Sequence, residues 1–201
     1  MPEDQVVKHC APTLAGLKTG NIFMTTFDSE KTLDREILRL NGLLCKKGLK
    51  AVKLRARENR ALIYVYRPGK LQKDLDSSEA RKILKRFGYT MSEHEKCVDR
   101  LCKRMCERCD FPHEVGLFLG YPPEDVKGFI KHGGRHCKSC GHWKVYGDVQ
   151  EAQRQFNRYS KCTGVYMKCL RRGVPFERLL VESNDRPGSH PEETEKNEKN
   201  Y

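Results

Sequence analysis

The sequence predicts an α+β fold: a single, mainly helical domain with a small antiparallel sheet over residues 1–182, then a disordered acidic tail over residues 183–201. Three observations carry this. Apolar residues recur at helical spacing, as at Leu33, Ile37, Leu40 and Leu44. Two β-rich runs flank a short polar turn, Arg57-Glu58-Asn59-Arg60. The closing stretch, SNDRPGSHPEETEKNEKNY, has no apolar period and cannot build a core.

The elements follow in order. Residues 4–18 are predicted helical as far as Pro12, with a bend around His9 to Leu14. Ser29 is a credible N-cap for a helix reaching residue 47, which Gly48 ends. Residues 49–56 and 61–67 form a hairpin, because Val52, Leu54, Ile63, Tyr64, Val65 and Tyr66 favour strands; Pro68-Gly69 stops it. Helices are predicted over 78–87, stopped at Gly88, and over 92–109. Two short ones cover 112–119 and 123–131, each with Pro near its start. Residues 143–146 read as a short strand. Asp148 and Glu151 open a helix that runs to about residue 172, and 175–181 adds a last helical turn or two. No internal repeat is visible.

Composition narrows the classes. The chain of 201 residues is one ordinary domain in size. No stretch approaches the ~20 apolar residues of a membrane span. Lys and Arg number 39 against 27 Asp and Glu, a net +12. Residues 1–182 carry 36 basic and 22 acidic side chains, a net +14, and the tail carries −2. The opening Met1-Pro2-Glu3-Asp4 is polar and acidic, unlike a secretory signal, and points to the cytoplasm, where thiols stay reduced. The ten cysteines are then free thiols, metal ligands or redox centres.

Several constellations carry chemistry. Cys102-x3-Cys106-x2-Cys109 has the spacing that holds a four-iron cluster in radical enzymes. A regular helix, however, spreads Cys102 and Cys109 by ~10 Å along its axis. Packing beside Val98, Leu101 and Met105 is the simpler reading. Cys137-x2-Cys140-Gly141, with His132, His136 and His142 around it, is either half of a tetrahedral zinc or iron site or a redox dithiol. Cys162, Cys169, Cys109 or His113 would complete a metal set, and His9 is a further candidate ligand. His9-Cys10, near Lys18, is a candidate base and nucleophile, although neighbours on a helix point ~100° apart. His113 and Glu114 open a helix within a Gly- and Pro-rich corner and suit acid–base or metal work. Glu124 and Asp125 fit the first turn of the next helix for structural reasons. Basic residues from Lys46 to Arg67 crowd the hairpin, and Tyr64 and Tyr66 among them could stack nucleic-acid bases.

Four runs taken together carry a resemblance: HCAPTLAGLK from His9, RALIYVYRPGKL from Arg60, FPHEVGLFLGYPPEDVKGFI from Phe111 and GHWKVYGD from Gly141. They resemble an uncharacterised bacterial family, domain of unknown function 3793, over nearly all of residues 5–180. The resemblance implies an anaerobic bacterial setting, with flavodoxins or iron-handling proteins encoded nearby, and no established activity. Its motifs single out His9, Cys10, Pro12, Lys18, Tyr66, Arg67, His113, Glu114, Gly120, Tyr121, Pro122, Asp125, Gly141, Trp143, Lys144 and Tyr146. Cys10, Lys18, Arg67, His113 and Lys144 would form one basic pocket around an anionic ligand if the fold gathers them.

Three functions follow as expectations. The first is a cytosolic redox or metal-handling accessory protein, using iron or zinc or thiols at Cys10, Cys137, Cys140, His9 and His113. Its basic surface would meet an acidic redox partner such as a flavodoxin. The second is an enzyme with Cys10 as nucleophile, His113 or His9 as base, and Lys18, Arg67 or Lys144 holding an anionic substrate; Glu114, Tyr121, Trp143 and Tyr146 would line its site. The third is an RNA- or DNA-binding module built on the hairpin.

Overall fold

A computed structural model describes residues 3–90, 93–107 and 111–182. The tail expected from residue 183, and Cys109 with it, lie outside these.

The run Ala61-Leu62-Ile63-Tyr64-Val65-Tyr66 is apolar at every position, which fits a strand covered on both faces. Strands β1 (Gly20–Thr26), β2 (Lys50–Arg57) and β3 (Arg60–Tyr66) form an antiparallel sheet in the order β1-β3-β2, so this run is central. Eight α-helices surround the sheet among the described residues. They are α1 (Glu3–Leu14), α2 (Glu30–Leu44), α3 (Pro68–Asp76), α4 (Ser78–Arg86), α5 (His94–Glu107), α6 (Val115–Phe118), α7 (Pro123–His132) and α8 (Val149–Arg171). A second, two-stranded ladder, β4 (Ser139–Cys140) with β5 (Lys144–Val145), makes a small knuckle between α7 and α8. The α+β architecture is as the sequence predicts. No helix among the described residues is long and apolar enough to cross a membrane.

The two faces of β3 feed two cores. Ala61, Ile63 and Val65 join Phe23, Ala51 and residues of α1 and α2, including Val7, Cys10, Leu33 and Leu40. Tyr64 and Tyr66 face the other way, among Leu71, Leu75, Leu84, Leu101 and Phe118. A third cluster, Trp143, Val145, Ala152, Phe156 and Tyr159, seats the knuckle on the first half of α8.

Most predicted elements are present. Ser29 caps α2, accepting from the Thr32 amide at 3.2 Å, and Asp148 caps α8, accepting from Glu151 at 2.9 Å. Glu58 and Asn59 turn the hairpin with φ of 47° and 61°, the left-handed pair that matches strand twist in a two-residue loop. Three elements, β1, α3 and the two-residue β4, have no counterpart among the sequence expectations. β1 was not foreseen, although Ile22, Phe23, Thr25 and Thr26 favour strands. Pro68-Gly69 does end β3, but Pro68 also starts α3, since proline suits a first helical position.

The cysteines of α5 pack rather than gather. β2 bulges between Lys53 and Arg55, and the thiols of Cys102 and Cys106 donate to the freed Lys53 and Leu54 carbonyls at 3.8 Å each. Tyr64 and Tyr66 are buried and stacked on each other, with ring centroids 4.6 Å apart, so they offer no platform for bases. Part of the positive charge at and before the hairpin is paired: Lys47 with Glu182, Lys50 with Glu95, and Lys53 with Asp34 and Glu30.

Arg67, expected to hold an anion, is consumed by the fold. It is 1% exposed. Its Nε donates to the Thr13 carbonyl, and its Nη2 to the Leu14 and Val181 carbonyls, each at 2.7 Å. The guanidinium thereby caps the end of α1 and fastens residues 180–182 to it, helped by the Val181 amide donating to Leu14 at 3.1 Å. Replacing Arg67→Met removes three charge-assisted hydrogen bonds and should cost about 3–5 kcal/mol in chemical denaturation, with Arg67→Lys restoring only part because lysine lacks the fork. A loss below about 1 kcal/mol would show that the clamp is dispensable.

Candidate functional site

The third motif builds a corner. Its residues form α6, a turn through Gly120-Tyr121-Pro122, and α7, whose start is set by two consecutive prolines. The knuckle docks against this corner through one side chain. Asp125, in the first turn of α7, is 3% exposed. Its Oδ2 accepts from the Trp143 indole at 2.7 Å; its Oδ1 accepts from the backbone amides of Tyr146 at 2.7 Å and Gly147 at 2.8 Å. Asp125 is expected at a helix end and belongs to the third motif; its contacts across the knuckle come from the tertiary packing.

Other motif residues complete the joint. Lys144 donates to the Gly134 carbonyl at 2.6 Å, and Tyr146 to the Arg135 carbonyl at 2.9 Å, lashing the loop after α7 to β5. The Tyr146 ring lies against Gly128, and the Phe156 ring against Gly141; a Cβ at either glycine would collide with the ring. Gly141 is therefore needed for this close approach rather than for a special turn. Tyr121 stacks on Trp143 with centroids 4.9 Å apart, and Trp143 meets Phe156 edge-on at 4.5 Å.

Between corner and knuckle lies a cavity of about 330 Å³, within the size range of small-molecule sites. Its walls are mainly apolar: Val115, Leu119, Val126, Phe129, Tyr121 and Trp143. The polar groups are few, His113, Asp125, Lys144 and the thiol residue Cys140. His113 sits edge-on to Phe129 at 4.9 Å. Cys140 is exposed and Cys137 half-buried.

The expected single basic pocket is not formed. His113 and Lys144 line this cavity, together with Tyr121, Trp143 and Cys140. Lys18 and His9 line a different one. Glu114 lines neither. It is 1% exposed, pairs with Arg104 through Nε, and accepts from the Tyr89 hydroxyl at 3.1 Å. This buried ion pair ties α5 to the start of α6, a structural use of a residue expected to touch ligand.

Cys10 is not placed as a nucleophile. It is fully buried in the core among Val6, Val7 and Leu14. Burial pushes its thiol well above the usual range, and the nearby Lys18 only partly offsets this. A site that excludes water and disfavours thiolate cannot activate sulfur. Lys18 is 5% exposed, donates to the Gly20 carbonyl at 2.7 Å and lies 5.0 Å from the Tyr121 ring centroid. Burial brings its amine down to about 7.

The metal set expected at Cys137, Cys140 and His9 is not assembled either. His9 belongs to α1, stacks on Phe23 at 5.6 Å and lines a cavity that neither Cys137 nor Cys140 lines. Among the described residues, no group of three or more His, Cys, Asp or Glu side chains could hold a metal ion. Cys137 and Cys140 remain a pair.

The contrast between thiols is directly measurable. With iodoacetamide on the native protein, Cys140 should alkylate at an ordinary surface rate and Cys10 at least ~100-fold more slowly, by peptide mass spectrometry. Equal rates would place Cys10 outside the core.

The profile of a family described as a protein of unknown function, DUF3793, matches residues 6–180. No curated protein and no solved structure matches the chain. The matched span holds the sheet, the corner and the knuckle alike, and the chain belongs to the DUF3793 family.

Proposed function

We propose that this is a thiol-dependent redox accessory protein that seats a small planar molecule beside Cys140. The observation that carries the reading is the placement of an exposed thiol residue on the wall of an aromatic cavity. Phe129, Tyr121 and Trp143 supply apolar and ring surface for a flat ligand. His113 and Lys144 supply the polar groups that would orient an acidic substituent. Cys137, three residues before Cys140, is the partner thiol. In the redox step the two thiols give up two electrons and two protons and form one disulfide. The acceptor is an oxidised flavin or a disulfide on a partner protein, reduced by the same two electrons. The net positive charge of residues 1–182 suits an acidic partner of this kind. The dithiol is preferred to iron or zinc because the described residues bring no third and fourth ligand to the pair.

The test equilibrates the protein in dithiothreitol buffers of graded redox potential, traps thiols by alkylation and maps them by mass spectrometry. Cys137 and Cys140 should interconvert as one two-electron couple, and Trp143, the only tryptophan in the chain, should change emission with it. Cys140→Ser should abolish both changes. A Cys137 and Cys140 pair that stays reduced throughout, or disulfides formed with other cysteines instead, would overturn the reading.

A further inference from the structure

Lys18 raises a separate question, because its amine is buried without an acidic partner among the described residues. It lines two cavities. One, of about 420 Å³, contains five carboxylate residues, Asp74 and Glu151 among them. The other, of about 400 Å³, lies between α1, β1, the knuckle and α8 and contains none. Its lining instead includes Lys8, His9, Lys18 and His142, with Asn21 and Ser160 as neutral hydrogen-bonding groups.

We infer that the acid-free cavity is a binding site for a small oxyanion, the phosphate or carboxylate group of a small molecule, with Lys18 as its buried cation.

Four basic side chains, Lys8 and His9 of α1, Lys18 in the loop after it and His142 between β4 and β5, line one cavity that no carboxylate residue lines. Burying a cation costs free energy unless a partner compensates, and Lys18 has only one carbonyl and one ring. Neutral donors are at hand. Asn21 accepts the Thr13 hydroxyl on its Oδ1 at 2.7 Å, which leaves its amide hydrogens free to donate. Ser160 Oγ is 3.2 Å from His142 Nε2. Both histidines hold protons less readily than usual, His9 through burial and Lys8, and His142 through burial and Lys18. An anion seated among them reverses that penalty, so its binding must draw protons onto these two rings. The site is distinct from the aromatic cavity and does not depend on the dithiol.

The experiment follows histidine ring resonances by NMR from pH 5 to 8, with inorganic phosphate, with acetate, or with sodium chloride at equal ionic strength. Phosphate or acetate should raise the apparent pKa of His9 and His142 by about half a unit or more over chloride, with His113 and His132 unmoved. The stronger of the two arms identifies the oxyanion class. Lys18→Met should abolish the shift. Because that variant removes a buried group, Lys8→Gln and Ser160→Ala, both on exposed residues, serve beside it and should each weaken phosphate binding about three- to tenfold. Equal movement of all the histidines, or no movement beyond chloride, would overturn the assignment.

Discussion

The carboxylate of Asp125 is the contact on which the rest of the site depends. The knuckle has only two residue pairs in its ladder, Ser139 with Val145 and Cys140 with Lys144, too few to hold a shape by themselves. Asp125 gives it an external anchor by accepting one indole and two backbone hydrogens. Such bonds to a buried acid are worth more than surface ones, and losing the acceptor would leave three donors unsatisfied. The position of Trp143, the mouth of the aromatic cavity and the location of Cys140 all follow from that joint.

The excess of basic residues resolves into several different solutions. On the surface, Lys50 and Lys53 of the hairpin meet acids from neighbouring helices. Inside, Arg104 is neutralised by Glu114, and Arg67 is spread over three carbonyls. Arginine suits these sites because its fork meets several acceptors at once. Lys18 has no such partner, and lysine, unlike arginine, can shed its proton when buried. Lys18 lines two cavities.

The legibility of the sequence varied with the range of the interaction. The caps at Ser29 and Asp148, the hairpin and the short proline-led helices are local, and local patterns revealed them. β1 pairs with β3, some forty residues later in the chain, and has no turn signal joining it to a partner. Motif membership marked Arg67, Glu114, Lys144 and Tyr146, yet could not separate a ligand contact from a tertiary clamp, because both use buried polar groups. The same ambiguity applied to Cys10, whose burial is a property of the packed core. His142 and Phe129 were visible only as a neighbour of the CxxC pair and as part of a motif. Their places on the cavity walls come from packing between α7, the knuckle and α8.

The central claim is that the aromatic cavity seats a flat molecule next to Cys140. The most direct measurement titrates the reduced protein with anilinonaphthalene sulfonate, an aromatic probe with one anionic group, while following Trp143 emission and the alkylation rate of Cys140. The account predicts saturable quenching at one probe per chain, with Cys140 protected in proportion to occupancy. Quenching that never saturates, or full saturation with Cys140 alkylated at its original rate, would contradict it.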